Sequence, residues 1–181
     1  MVYLLLADGF EEIEALLPLD ILKRGGVEIR TVGITGKTVT GSHGVCVTAD
    51  ITADEAREDA EMVILPGGMP GAANLDASPA VDRLLDAAKK RGAKMAAICA
   101  APIVLGHRGL LAGKRAVCYP GFEKDLEGAI PCTERVVCDG TVTTAVGMGA
   151  AADLGFSLLS QLKGEAVAER VRRSALFVTE K

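Results

Sequence analysis

The chain has 181 residues and a formal net charge of −4, with an isoelectric point near 5.3. That balance argues against nucleic acid or an anionic membrane surface as the main partner. The length predicts a single domain, 1–181, able to bury a substantial core.

Hydrophobic residues make up 49% of the chain, yet no apolar run reaches the length of a membrane span. The opening stretch MVYLLLADGF lacks the basic start and cleavage site of a secretory signal, which predicts a cytoplasmic location. Five cysteines, at 46, 99, 118, 132 and 138, form no C-x-x-C pair. They read as free thiols in a reducing compartment, with no disulfide framework and no zinc site. Aromatic residues are only 3%, so the core falls to Leu, Val, Ile and Ala.

Val2 to Ala7 is an apolar run ending in Asp8-Gly9, a buried strand entering a turn. Residues 11–24 read as a helix with acidic residues first, Lys23-Arg24 last and Gly25-Gly26 as its stop. Phe10, Ile13, Leu17 and Ile21 share one stripe of that helix, and Glu14 falls on it, while Glu11 and Glu12 point elsewhere. A carboxyl on an apolar stripe has a raised pKa through desolvation; the alternative is a Glu14 that reaches water at the helix edge. Pro18 predicts a kink.

Val27 to Ile34 forms a second strand, and residues 38–48 form a hairpin turning at Gly41-Ser42-His43-Gly44. A short charged helix is expected over 53–60 and a buried strand over Met62–Leu65. That strand runs into Pro66-Gly67-Gly68-Met69-Pro70-Gly71, a loop that permits close backbone approach and aims N–H groups at an anion. No Gly-Lys-Ser/Thr follows, so it is not a phosphate loop. An amphipathic helix over 79–91 leads to the stretch AKMAAICAAPIVL, residues 93–105.

Here a buried strand, Met95–Ile98, passes directly into a helix with Pro102 in its first turn. Cys99 sits at the junction, where a sharp strand-to-helix turn exposes a side chain and a helix N-terminus favours thiolate. The bland alternative is a small buried hydrophobe. The chain continues with a strand at 115–118 leading to Tyr119 and a hairpin about Asp139-Gly140. Then come a Gly147-Met148-Gly149 loop, an apolar helix to about Leu162 and a solvent-facing helix over 164–173. Strands alternating with helices predict an α/β fold with a mostly parallel sheet covered on both faces. Glu14, Gly67-Gly68, Cys99 and Tyr119 all follow strands, at the sheet edge where such folds place their sites.

Three motifs, LADGFEEIE (6–14), LPGG (65–68) with GAANL (71–75), and AAICAAP (96–102), resemble in order and spacing those of the ThiJ/PfpI superfamily, within it the DJ-one branch. The resemblance covers essentially the whole chain. It implies a flavodoxin-like three-layer sandwich, a homodimer and no cofactor or metal. It implies Cys99 as the reactive thiol, Glu14 as the protonated carboxyl beside it, and the Gly68 and Ala100 N–H groups as oxyanion donors. Gly67 and Tyr119 would line the pocket, and His43 matches a hairpin position that can reach across the dimer. Ala100 departs from the His of the peptidase-like branch, and no His follows His107, so a Cys-His dyad is not expected. Tyr119 stands where the DJ-one branch often has His; a phenol is a poor base at neutral pH.

The function implied is a cofactor-independent cysteine enzyme acting on small reactive aldehydes, as a glutathione-independent glyoxalase or a deglycase. The second reading is an oxidative-stress sensor or chaperone working through Cys99 oxidation. A role in thiazole phosphate (thiamine) metabolism ranks last, since no phosphate-binding motif supports it.

Overall fold

The computed structural model describes residues 1–177. Its elements run β1 (Val2–Leu6), α1 (Glu12–Arg24), β2 (Ile29–Gly33), β3 (Thr38–Thr40), β4 (Cys46–Thr48) and β5 (Ile51–Thr52). They continue with β6 (Met62–Leu65), α2 (Gly71–Asp76), α3 (Pro79–Arg91), β7 (Lys94–Ile98), α4 (Pro102–Gly106), β8 (Arg115–Ala116) and β9 (Ile130–Pro131). A last hairpin, β10 (Val136–Asp139) and β11 (Val142–Ala145), precedes α5 (Ala151–Lys163) and α6 (Glu165–Ser174).

Seven strands form one sheet in the order β10-β11-β7-β6-β1-β2-β5, parallel except for β10. Strand periodicity divides the core in two. Tyr3, Leu5, Val63, Leu65 and Met95 pack on one face with Leu75, Leu84, Leu85 and Val104 from α2, α3 and α4. Val2, Leu4, Leu6, Ile64 and Ile98 pack on the other with Ile21, Leu22, Leu154, Phe156 and Leu159 from α1 and α5. This is the expected three-layer sandwich.

From β1 the chain moves through α1 to β2 on one side; β6 then lies on the opposite side of β1, and α3 leads on to β7. The crossovers before and after therefore lie on opposite faces, and the loops leaving β1 and β6 part from each other at their carboxyl ends. That is the switch point where open α/β sheets carry their sites.

Several local expectations need correction. Residues 53–60 make only a 3-10 turn, Ala53–Glu55. The backbone beyond it is claimed elsewhere: Arg57 N donates to the Tyr3 hydroxyl, and Arg83 donates to the carbonyls of Ala53 and Ala56. α1 runs through Pro18 without a break. Its buried face is Glu12, Glu14, Ala15, Pro18, Ile21 and Leu22, while Ile13, expected inside, is 45% exposed. α6 is only partly solvent-facing, because Ala168 and Val171 are buried. Among the described residues no helix is long and apolar enough to cross a membrane.

α1 and α5 pack closely because Gly155 has no side chain. A Cβ there would lie 3.1 Å from Pro18 Cα and 2.9 Å from Ile21 Cδ1. Gly155→Leu should cost about 1–3 kcal/mol through overpacking. Gly155→Ala should be near neutral, since the Ile21 tip can move and alanine regains roughly 1 kcal/mol of helix propensity. Urea melts of the two variants check this; equal midpoints for wild type and Gly155→Leu would contradict it.

Candidate active site

Three loops meet at the carboxyl ends of β1, β6 and β7. Cys99 follows β7 at φ 65°, a left-handed conformation unusual for a residue with a side chain. Its peptide groups are fixed on both sides: Cys99 N donates to Ala145 O at 2.9 Å, and Tyr119 N donates to Cys99 O at 2.8 Å. Backbone held in this way at a strand end sustains strain of about 1–3 kcal/mol, and it turns the sulfur out of the sheet toward the switch point.

Glu14 reaches the same point from the first turn of α1 and is 1% exposed. Gly67 N donates to its Oε2 at 3.0 Å, and Met148 N also donates to it. Glu14 and Cys99 are hydrogen-bonded to each other, and the N–H groups of Gly68 and Ala100 point to the Cys99 sulfur. Gly67 must be glycine here: a Cβ would lie 2.5 Å from Glu14 Oε2 and 2.6 Å from Cys99 Cβ. Gly68 adopts φ +88°, which lets its N–H turn inward. The structure thus brings together Cys99, Glu14, Gly67, Gly68 and Ala100. Tyr119 is half-exposed at the rim.

Two residues escaped the sequence reading. A Cβ on Gly147 would stand 3.8 Å from both Cys99 Sγ and Glu14 Oε1, and 3.4 Å from the Tyr119 ring, so Gly147 borders the site. The Gly-x-Gly pattern was visible, but not that its loop folds over this pair. The other is Glu12, which points away from Glu14 as expected but is buried in the β3–β4 hairpin tip. His43 is engaged within its own chain, its Nδ1 2.8 Å from Glu12 Oε2. His107 caps the end of α4 with Nδ1 2.7 Å from Asp76 and stands apart from the pair in a structural network with Arg108. Glu11, Glu12 and His43 offer ligand atoms within 4.8 Å of one another. As a metal site the trio is poor: both Glu12 oxygens already accept two hydrogen bonds each, and the start of a helix disfavours a cation.

Burial pushes Glu14 up to about 7 against the hydrogen bond from Cys99, with the Glu11 carboxylate adding repulsion. Burial, with the charge and hydrogen bond of Glu14, pushes the Cys99 thiol up to about 12, against the Gly68 and Ala100 N–H groups. The helix-dipole expectation of a thiol lowered by its own position therefore fails, because α4 has only 5 residues and burial outweighs the N–H donors at Cys99. Glu14 acts on the thiol with two signs: its carboxylate repels a thiolate, while its protonated carboxyl can donate a hydrogen bond to one. One proton is lost from the pair near neutrality, and the second departs only against a charge already present. The deeper burial of Glu14 and the repulsion from Glu11 favour the carboxyl as holder of the shared proton, against the ordinarily weaker acidity of the thiol.

The DJ-1/PfpI family model matches residues 1–161. The chain belongs to the DJ-1/PfpI family. It is 33% identical over 174 residues to the Parkinson disease protein 7 homolog of Danio rerio, covering 93% of this chain and 92% of that one. A glutathione-independent glyoxalase of Caenorhabditis elegans is 30% identical over 163 residues, 89% of this chain and 87% of that one. Among solved structures, oxidized Toxoplasma gondii DJ-1 superposes with TM-score 0.93 at 32% identity, covering 98% of each chain. The family's flavodoxin-like sandwich is the fold described above.

The shared proton has a direct optical test. Thiolate ultraviolet absorbance in the wild type should rise well below the value of about 12 that the thiol has beside a charged Glu14, because the first proton of the pair would leave from sulfur. Glu14→Leu should move the Cys99 midpoint alkaline by roughly one unit or more, because the thiolate loses its donor while remaining desolvated. A thiolate that forms in the wild type only in strong alkali, and earlier in Glu14→Leu, would place the proton on sulfur instead.

Proposed function

We propose that the chain is a cofactor-independent cysteine enzyme that converts small 2-oxoaldehydes, methylglyoxal or glyoxal, to hydroxy acids. The observation that carries this reading is the hydrogen-bonded Cys99–Glu14 pair, in which a nucleophile and a titratable proton carrier sit in contact near neutrality.

Cys99 thiolate attacks the aldehyde carbon; a C–S bond forms and the carbonyl π pair moves to oxygen. Glu14 gives its proton to that oxygen, yielding a hemithioacetal. The Glu14 carboxylate then removes the proton from the same carbon, a C=C bond forms and the ketone π pair moves to its oxygen, giving an enediolate. Glu14 returns that proton to the neighbouring carbon while the hemithioacetal hydroxyl proton passes to the enediolate oxygen, leaving a thioester. Water hydrolyses it to lactate or glycolate and frees the thiol. Gly68 and Ala100 N–H groups hold the resting thiolate and lie where a developing oxyanion adjoins it. Deglycation of protein adducts would use the same pair on a bulkier carbonyl. The similarity to a glutathione-independent glyoxalase supports the carbonyl reading.

The second reading, a redox sensor, rests on the same donors: Gly68, Ala100 and Glu14 would equally hold the oxygens of a Cys99 sulfinate. Lactate formation from methylglyoxal without glutathione separates the two. Wild type should turn over and Cys99→Ser should not, while Glu14→Gln should lose roughly 10²–10⁴-fold, the scale of a lost acid–base group. No turnover in any of the three would favour the sensor.

The protein is also proposed to be a homodimer in the cytoplasm. Ile13, Val45 and Met148 are large apolar residues that are 45–56% exposed. They lie near the first turn of α1, next to the reactive pair, because Ile13 is on that turn and Val45 N and Met148 N bond to Glu12 and Glu14. Light scattering should give twice the 18.7 kDa chain mass; a monomer at micromolar concentration would refute the dimer.

A further inference from the structure

Glu12 and Glu14 are the only buried carboxylates among the described residues. They lie two residues apart on the first turn of α1, and only Glu14 faces Cys99. Glu12 turns the other way, into the tip of the β3–β4 hairpin. Its Oε1 accepts from His43 N at 2.8 Å and Val45 N at 3.5 Å; its Oε2 lies 2.8 Å from His43 Nδ1 and 3.3 Å from Ser42 Oγ. Gly41 permits this approach, since a Cβ there would lie 2.5 Å from Glu12 Cδ.

The hairpin also holds the chain that leads into this turn. Gly9 N donates to Thr40 O, Ser42 N to Phe10 O, and Thr40 N to Asp8 Oδ1, each at 2.8 Å. On its other side the same chain is fixed to the Gly67 loop, with Glu11 N donating to Gly67 O at 2.8 Å and Gly71 N to Gly9 O at 3.1 Å. Residues 8–12 are thus gripped between two loops, and the rotation of the first helical turn is set by both.

We propose that Glu12, anchored in the hairpin tip and paired with His43, is a positioning residue that holds Glu14 against Cys99. This rests on the reading of Cys99–Glu14 as the reactive pair. Release of Glu12 frees the outer side of the turn. Glu14 then draws back toward water and ionises early, and the thiolate loses its donor while gaining a nearby charge.

The charges support such an anchor. Burial opposes ionisation of Glu12, yet the bonds from His43 and Val45 prevail and hold its pKa at about 2. His43 is raised above 6.5 by Glu12, with Glu11 contributing. The Glu12 contribution is present above its unfolded value of 4.5 and is lost as pH falls through about 2. The His43 contribution is full below 6.5 and is lost as pH rises through its elevated folded value. The ion pair is therefore complete between 4.5 and 6.5 and weakens as Cys99 becomes reactive, leaving the backbone donors to Glu12 in place. The charged groups facing His43 are Glu12 and Glu11 on α1; Asp8 faces the hairpin stem.

The test is the pH dependence of Cys99 alkylation by iodoacetamide, followed by peptide mapping, in wild type, Glu12→Ala, His43→Ala and His43→Gln. Glu12→Ala should move the Cys99 midpoint alkaline by roughly one unit, and His43→Ala by roughly half as much. His43→Gln, which restores an uncharged donor, should return it toward the wild-type value. Variants that melt earlier but keep the wild-type midpoint would overturn the proposal, since a merely structural clamp lowers stability alone. Should Glu12→Ala not fold, the His43 pair of variants decides by the same criterion. Alkylation needs no carbonyl substrate, so a failure of aldehyde turnover leaves this test intact. A wild-type Cys99 without an ionisation near neutrality would overturn both this proposal and the reactive pair.

Discussion

Everything in the site follows from one close approach. The backbone at Gly67 passes between the Glu14 carboxyl and the Cys99 Cβ with no space for a methyl group. That contact joins the loop after β6 to the loops after β1 and β7. It also supplies an N–H to the carboxyl. The raised affinity of Glu14 for its proton, its contact with Cys99, and the inward N–H of Gly68 all require the three loops to be this close. A side chain at position 67 would separate the pair and hydrate both partners.

The first turn of α1 carries two buried carboxylates that the environment drives in opposite directions. Glu12 meets four donors and is held at about 2; Glu14, similarly buried, meets fewer donors and a repelling Glu11, and rises to about 7. Such divergence on neighbouring groups separates a carboxylate fixed as an anion from one whose proton stays mobile near neutrality. Glu11 connects them. Its Oε2 accepts from Glu14 N at 2.6 Å, capping the helix, and its charge raises the Glu14 pKa. One four-residue stretch, Glu11 to Glu14, thus supplies a helix cap, a buried anion and a carboxyl with a raised pKa.

Much of this is legible in the sequence. Strand runs such as Met62–Leu65 and Met95–Ile98 are apolar on both faces, so they had to be central, and whatever followed them had to collect at one edge. Cys99 at a strand–helix junction was visible in the same way. The orientation of α1 was not. A helical stripe assigned by apolar residues assumes one apolar partner, but the first turn of α1 lies between two polar loops, so Glu12 is buried and Ile13 is left exposed. The supposed helix at 53–60 failed for a related reason: its local propensity was right, but Tyr3 and Arg83, distant in sequence, took its backbone groups. The thiol pKa cannot be read from a helix start alone, because burial opposes the few N–H donors at Cys99 and Glu14 acts with opposite sign in its charged and protonated states.

Sheet order explains why these loops, and no others, can meet. Because β6 returns beside β1 on the side away from β2, the chain leaves β1 toward the face that carries α1 and leaves β6 toward the face that carries α3. The two exits diverge and open a crevice between adjacent strands. A crevice of this kind would fill with water unless something closed its outer edge. Gly9 and Phe10 are tied outward to the hairpin and inward to the Gly67 loop, and so close it from the β1 side. Gly147 and Tyr119 border it from the β11 side. A thiol placed at the same strand end in a sheet wound in one direction only would have its neighbours' helices on one face. No second element could then deliver a carboxyl from the opposite layer. Here Cys99 belongs to the strand and the acid to the helix across the switch, so the reactive pair exists only where the winding reverses.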